Sequence, residues 1–173
     1  NSMADVWEAY RAELDGVEHQ VRQNLDSSVT LVNTVAAHIL NSGGKRVRPL
    51  LLLLSARLCG YTGREHYQLG SLIEFIHTAT LLHDDVVDEA DIRRGRRTAR
   101  KVWGNQISIL VGDYLYSKAM AQIVEFRSHG MNEVLAEACT KMAEGEVLQL
   151  YYNGNPSMPE SDYIKIVEHK TAG

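Results

Sequence analysis

Throughout this chain the apolar residues recur three or four positions apart, and nowhere do they alternate with polar ones long enough to make a strand. That period predicts an all-α fold. Val6, Tyr10, Leu14, Val17 and Val21 form one stripe, so a helix is predicted over residues 5–24. A second follows Asp26-Ser27-Ser28, residues able to cap it, and runs to Leu40 before Asn41-Ser42-Gly43-Gly44. Pro49 suits the first turn of a third, because the N–H it lacks has no helical partner there. That helix is apolar on nearly all sides, stops at Gly60, and is predicted to be central. Further helices are predicted over residues 65–89, 106–127 and 132–152, with a last one starting near Glu160. No repeat, low-complexity tract or linker divides these helices, about seven in all, which predicts a single domain.

A chain of 173 residues can remove about 70% of its extended surface from water, so it can build a real core. Hydrophobic residues at 45% and charged residues at 23% exclude the disordered and fibrous classes. A net charge of −4 provides no global attraction to nucleic acid or membrane. Cys59 and Cys139 lie in apolar helical patterns without metal-ligand spacing, so both are read as packing residues in a reducing compartment. The run Leu50 to Leu54 is far too short to span a bilayer, and no export signal is visible. The expected location is cytoplasmic. Asn1-Ser2 before Met3 reads as an expression remnant, leaving residues 3–173 as part of one domain.

The chemistry concentrates in LLHDDVVDEADIRRG, residues 81–95. On a helix Asp84 and Asp88 stand one turn apart, on a stripe that continues through Thr80, Leu81, His77 and Ile73. Two carboxylates about 6 Å apart repel by ~0.7 kcal/mol in water but by nearly 3 kcal/mol at an effective dielectric of about 20. They are harmless on a solvated helix end and unfavourable in a cleft without a cation between them. Acidic residues at a helix C-terminus also oppose the dipole, so stability does not explain them. Aspartate oxygens with water and substrate phosphate are the ligand set of Mg²⁺.

Two basic clusters could hold such a phosphate. In SGGKRVRP, residues 42–49, Lys45, Arg46 and Arg48 surround the start of the Pro49 helix, whose N-terminus favours anions. In RRGRR, residues 93–97, the charge reverses directly after the acidic helix. Each could be an ordinary charged loop. A nucleic-acid patch over residues 93–101 is disfavoured, since no aromatic precedes Trp103 and the adjacent aspartates would repel a backbone. A small diphosphate fits two basic loops bracketing one carboxylate face.

With GGKRVRP (43–49), FIHTATLLHDDVVDEADIRRG (75–95), GNQISILVGDYLYSKA (104–119), AEGEVLQL (143–150) and HKTA (169–172), the chain resembles the trans-isoprenyl diphosphate synthases, or polyprenyl synthetases. The wording is most similar to their long-chain, octaprenyl branch. The resemblance implies an isoprenoid-synthase helical bundle around a central cavity, usually a homodimer. The reaction it implies condenses isopentenyl diphosphate with an allylic diphosphate. By motif position Asp84 and Asp88 would ligate Mg²⁺ with support from Asp85. Lys45, Arg48, His77 and Arg94 would bind isopentenyl diphosphate, and Arg93, Lys170 and Thr171 the allylic diphosphate. In this family bulk at the fourth and fifth positions before the first aspartate limits product length. Thr80 and Ala79 occupy those positions here; both are small, through ordinary packing or to admit a product of about C40.

The family's second aspartate-rich motif would lie beyond Gly173. The expectation is therefore an N-terminal half, truncated before that helix and inactive or nearly so alone. The alternatives are a non-catalytic subunit that regulates or scaffolds a complete synthase, and a class I terpene cyclase. The cyclase also uses DDxxD but needs no second cation bed. A His-Asp metal phosphohydrolase would need histidines at ligand spacing, which His38, His66 and His77 do not form.

Overall fold

The structure, a computed structural model, describes residues 3–172. The chain forms two compact units, residues 1–123 and 124–173. The first unit contains α1 (Met3–Ala9), α2 (Arg11–Asn24), α3 (Thr30–Leu40), α4 (Val47–Leu58) and α5 (Glu65–Val87). A two-stranded hairpin follows, β1 (Ile92–Arg93) and β2 (Arg96–Arg97), then α6 (Ala99–Trp103) and α7 (Asn105–Glu125), whose last two residues belong to the second unit. The second unit contains α8 (His129–Tyr151) and α9 (Glu160–Val167), which runs on as a π-helical turn, Glu168–Ala172.

The predicted all-α class is therefore found, with nine α-helices among the described residues rather than seven. One difference is a break at Tyr10, whose N–H still bonds the Val6 carbonyl at 3.1 Å. The other is α6, hidden within what reads as a basic loop. Among the described residues no helix is long and apolar enough to cross a membrane.

The centre of the first unit is α5, not α4. Along α5, Leu72, Phe75, Ile76 and Leu82 are buried, and α2, α3, α4 and α6 all pack on it. Gly70 permits the close crossing with α2: a Cβ there would stand 3.0 Å from Val17 Cγ2. By contrast α4 buries Pro49, Leu50 and Leu53 while Leu51 and Leu58 are 56% and 88% exposed. Its uniform leucine content conceals that only one side of the helix is packed in this unit. Cys59, the residue after α4, is likewise exposed, whereas Cys139 on α8 is buried.

The C-terminal end of α5 positions chemistry. Asp88 terminates it, its N–H bonding the Asp84 carbonyl at 2.8 Å. The chain then reverses through a hairpin whose two loop residues, Arg94 and Gly95, have φ of 50° and 76°. Positive φ at both positions matches the right-handed twist of the strands and usually selects Asn-Gly. Here an arginine takes the first position at a cost of about 1 kcal/mol.

Within the second unit, α8, α9 and the π turn pack together. Gly145 lets the π turn approach α8, since a Cβ on it would stand 2.9 Å from His169 Cβ and 3.0 Å from the Lys170 nitrogen.

Candidate active site

One face of α5 carries the candidate chemistry. Glu74, His77, Thr78 and Leu81 line a cavity of about 520 Å³ whose other side is Lys45, Arg46 and Arg48 together with Arg94 from the hairpin. Helical spacing extends this face down to Asp84, Asp85 and Asp88. The first unit thus brings together all four residues nominated for isopentenyl diphosphate: Lys45, Arg48, His77 and Arg94.

Lys45, Arg48 and Arg94 are exposed, and none forms a salt bridge among the described residues. They surround the start of α4, which has no side-chain cap and so offers uncapped N–H groups to an anion. Arg48 Nη1 donates to His77 Nε2 over a long 3.4 Å. Burial, then the charges of Arg48, Arg94, Arg93 and Arg46, hold the His77 pKa down to about 4. His77 is therefore neutral at pH 7 and adds a hydrogen-bonding edge to the cavity.

Arg46, which lines the cavity between two of these cations, is already paired with carboxylates. Its guanidinium donates from Nη1 to Glu74 Oε2 at 2.9 Å, from Nη2 to the Leu40 carbonyl at 3.1 Å, and from Nε to Glu18. Glu74 is 4% exposed, and burial lifts its carboxyl above the ordinary range while Arg46 opposes the lift. Neither glutamate was signalled by the motifs, because α2 and α5 meet Arg46 only through tertiary packing.

Below the cavity Asp85 is 1% exposed and accepts from Arg93 Nε at 2.9 Å. Its second oxygen has no hydrogen-bond partner among the described residues. Asp85 thus acts on Arg93 and is set apart from Asp84, half-buried, and Asp88, exposed. Among the described residues no three His, Cys, Asp or Glu side chains gather as a metal cage. Two hard carboxylates one turn apart fit Mg²⁺, which keeps several waters and completes its shell on phosphate. Ala79 is buried and lies on a different side of α5 from His77 and Leu81, while half-buried Thr80 borders their face.

Lys170 and Thr171 belong to the second unit. Lys170 Nζ meets Glu146 Oε2 at 2.6 Å and donates to Gln149 Oε1 at 3.0 Å. Thr171 is exposed. Glu146 and Gln149 sit in the AEGEVLQL segment, which therefore both clears space at Gly145 and anchors the lysine.

A family model described as polyprenyl synthetase matches residues 29–173. The octaprenyl diphosphate synthase of Escherichia coli (strain K12) is 46% identical over 160 residues, which cover 92% of this chain and 50% of that protein. The crystal structure of a decaprenyl diphosphate synthase from Rhodobacter capsulatus superposes with a TM-score of 0.93 at 42% identity, over 98% of this chain and 52% of that one. A polyprenyl synthase from Caulobacter crescentus CB15, complexed with calcium and isoprenyl diphosphate, gives 0.93 at 39% identity, with coverages of 98% and 52%. The chain spans about half the length of the curated relatives it matches. The isoprenoid-synthase fold and a family match over most of its length lead to one assignment: this chain belongs to the polyprenyl synthetase family.

Proposed function

We propose that this chain forms the isopentenyl diphosphate wall of a trans-polyprenyl diphosphate synthase, a prenyltransferase joining that substrate to an allylic diphosphate. The observation that carries the reading is the cavity in which Lys45, Arg48, His77 and Arg94 converge above the Asp84/Asp88 face of α5. Lys45, Arg48 and Arg94 supply charge to the diphosphate of isopentenyl diphosphate, and neutral His77 supplies a hydrogen bond. Arg93, aimed by Asp85, would bind the allylic diphosphate, a role for which motif position also nominates Lys170 and Thr171 in the second unit. Asp84 and Asp88 would hold Mg²⁺, which when bound supplies neutralising charge to departing diphosphate. The calcium and isoprenyl diphosphate in the Caulobacter structure support a divalent ion and a diphosphate as ligands.

In the reaction the allylic C–O bond breaks and its electrons leave on pyrophosphate, whose charge the cations stabilise. The double bond of isopentenyl diphosphate attacks the allylic carbon, and the released pyrophosphate takes the proton that the new chain loses. Small Ala79 and Thr80 favour a long product of octaprenyl class. We further propose a cytoplasmic homodimer, of which this segment, spanning about half the length of its relatives, alone turns over little or no substrate.

Calorimetric titration of the 173-residue chain with isopentenyl diphosphate tests the site. One saturable site is expected, weakened about tenfold or more by Lys45→Ala or Arg48→Ala. Absence of binding overturns the assignment of this cavity. Steady consumption of isopentenyl diphosphate with farnesyl diphosphate and Mg²⁺ by this chain alone overturns the inactivity.

A further inference from the structure

We propose that Glu74 is a positioning residue that, through Arg46, locks the 43–48 turn in the shape that presents Lys45 and Arg48 to a diphosphate. The inference rests on the cavity being a diphosphate site. It adds a role for two residues that touch no substrate in that reading.

The turn is improbable for a free chain. Gly43 has φ of 83° and Arg46, the residue before α4, has φ of 49°, a left-handed conformation that a non-glycine residue adopts only when its surroundings hold it there. Two anchors do so. Trp7 Nε1 donates to the Lys45 carbonyl at 2.6 Å, fixing the backbone from α1. The Arg46 guanidinium is held by Glu74, Glu18 and the Leu40 carbonyl, fixing the side chain from α5, α2 and the end of α3. Charge then alternates along the turn. Lys45 and Arg48 are exposed and outside any salt bridge among the described residues, while Arg46 between them has two carboxylates. A carboxylate as buried as Glu74 beside an anion site is unfavourable for the ligand unless its charge is cancelled. Arg46 cancels it and leaves the neighbouring cations uncommitted.

Inorganic diphosphate and isopentenyl diphosphate, titrated separately into the 173-residue chain, test this. Glu74→Leu, an apolar change of comparable bulk, should weaken both ligands about tenfold by releasing Arg46. Its melting temperature should fall only modestly, since the charge left behind, on Arg46, is partly exposed and still has Glu18 rather than being stranded in the core. Glu74→Gln keeps an oxygen for Arg46 Nη1 and should restore affinity to within about threefold of wild type. Glu18→Gln, a more exposed change that leaves the core alone, should cost about threefold. A merely structural role would make affinity follow melting temperature across the three variants, and that pattern overturns the proposal. Unchanged or tighter binding by Glu74→Leu, with Lys45→Ala still weakening it, overturns the proposal and spares the site. No diphosphate binding by the wild-type chain overturns both.

Discussion

Arg94 Nη1 stands 2.8 Å from the point that a Cβ on Gly44 would occupy. The bare backbone of the first basic loop is thus the surface across which the second loop lays its arginine. Arg94 arrives there from the left-handed first position of its hairpin loop, so its backbone is already committed. Gly44→Ala should force the guanidinium aside without moving backbone, because only the end of a flexible side chain is in the way. Melting temperature should change little, and affinity for isopentenyl diphosphate should fall about three- to tenfold. Calorimetry beside a thermal melt checks this; unaltered affinity would show that Arg94 does not serve the cavity.

Protonation of His77 provides a pH signature. Burial and the four arginines hold its pKa near 4, below the ordinary histidine value. A bound diphosphate adds negative charge and draws that pKa upward, so binding takes up a proton. Wild-type affinity should therefore rise, relative to His77→Gln, as pH falls from about 7 toward 5. Without ligand the unfolded chain binds more protons than the folded one between the ordinary histidine pKa and about 4. Stability should accordingly decline as pH drops through that window, and less so in His77→Gln. Parallel curves for the two proteins, in titrations and melts alike, would place His77 outside this electrostatic set.

How much of this was legible in the sequence depends on whether the signal was local. Asp84, Asp88 and His77 share a face because they share a helix, and 3.6 periodicity reveals that without coordinates. The four isopentenyl diphosphate candidates were named from motifs, and the cavity brings them together. Arg46 shows the limit. In KRVRP it is one of three adjacent cations, and nothing local marks it as the one that pairs with Glu18 and Glu74, each 28 residues away. Leu51 and Leu58 show the reverse failure, apolar residues on a helix that this unit leaves exposed. The hairpin at Arg94 was missed because arginine is a poor residue for positive φ, and Gly95 alone is a weak turn signal.

The Asp85–Arg93 contact should be asymmetric. Asp85 is 1% exposed while the Arg93 side chain is 30% exposed, so each leaves a different residue behind when its partner is removed. Arg93→Ala strands a buried carboxylate whose second oxygen already lacks a hydrogen bond among the described residues, and should cost about 2–4 kcal/mol. Asp85→Asn leaves an amide that can still accept from Arg93 Nε, with the guanidinium near water, and should cost about 1–2 kcal/mol. Urea denaturation of both variants measures the difference. Equal losses, or a larger loss for Asp85→Asn, would mean that the carboxylate is not held in place by Arg93.

In the second unit Gly145 offers a test that contrasts with Gly44. A Cβ on residue 145 would stand 3.0 Å from the Lys170 backbone nitrogen and 2.9 Å from His169 Cβ, atoms that cannot rotate away. Gly145→Ala must therefore push the π turn, Glu168–Ala172, off α8 or deform it, at a cost of about 1–3 kcal/mol. The displacement should also break the contact between Lys170 and Glu146, now 2.6 Å long. Hydrogen exchange read by mass spectrometry should show faster exchange over residues 160–172, with residues 65–87 unaffected. If α8 tolerated alanine with exchange at wild-type rates, the closeness of the π turn to α8 would not be what positions Lys170.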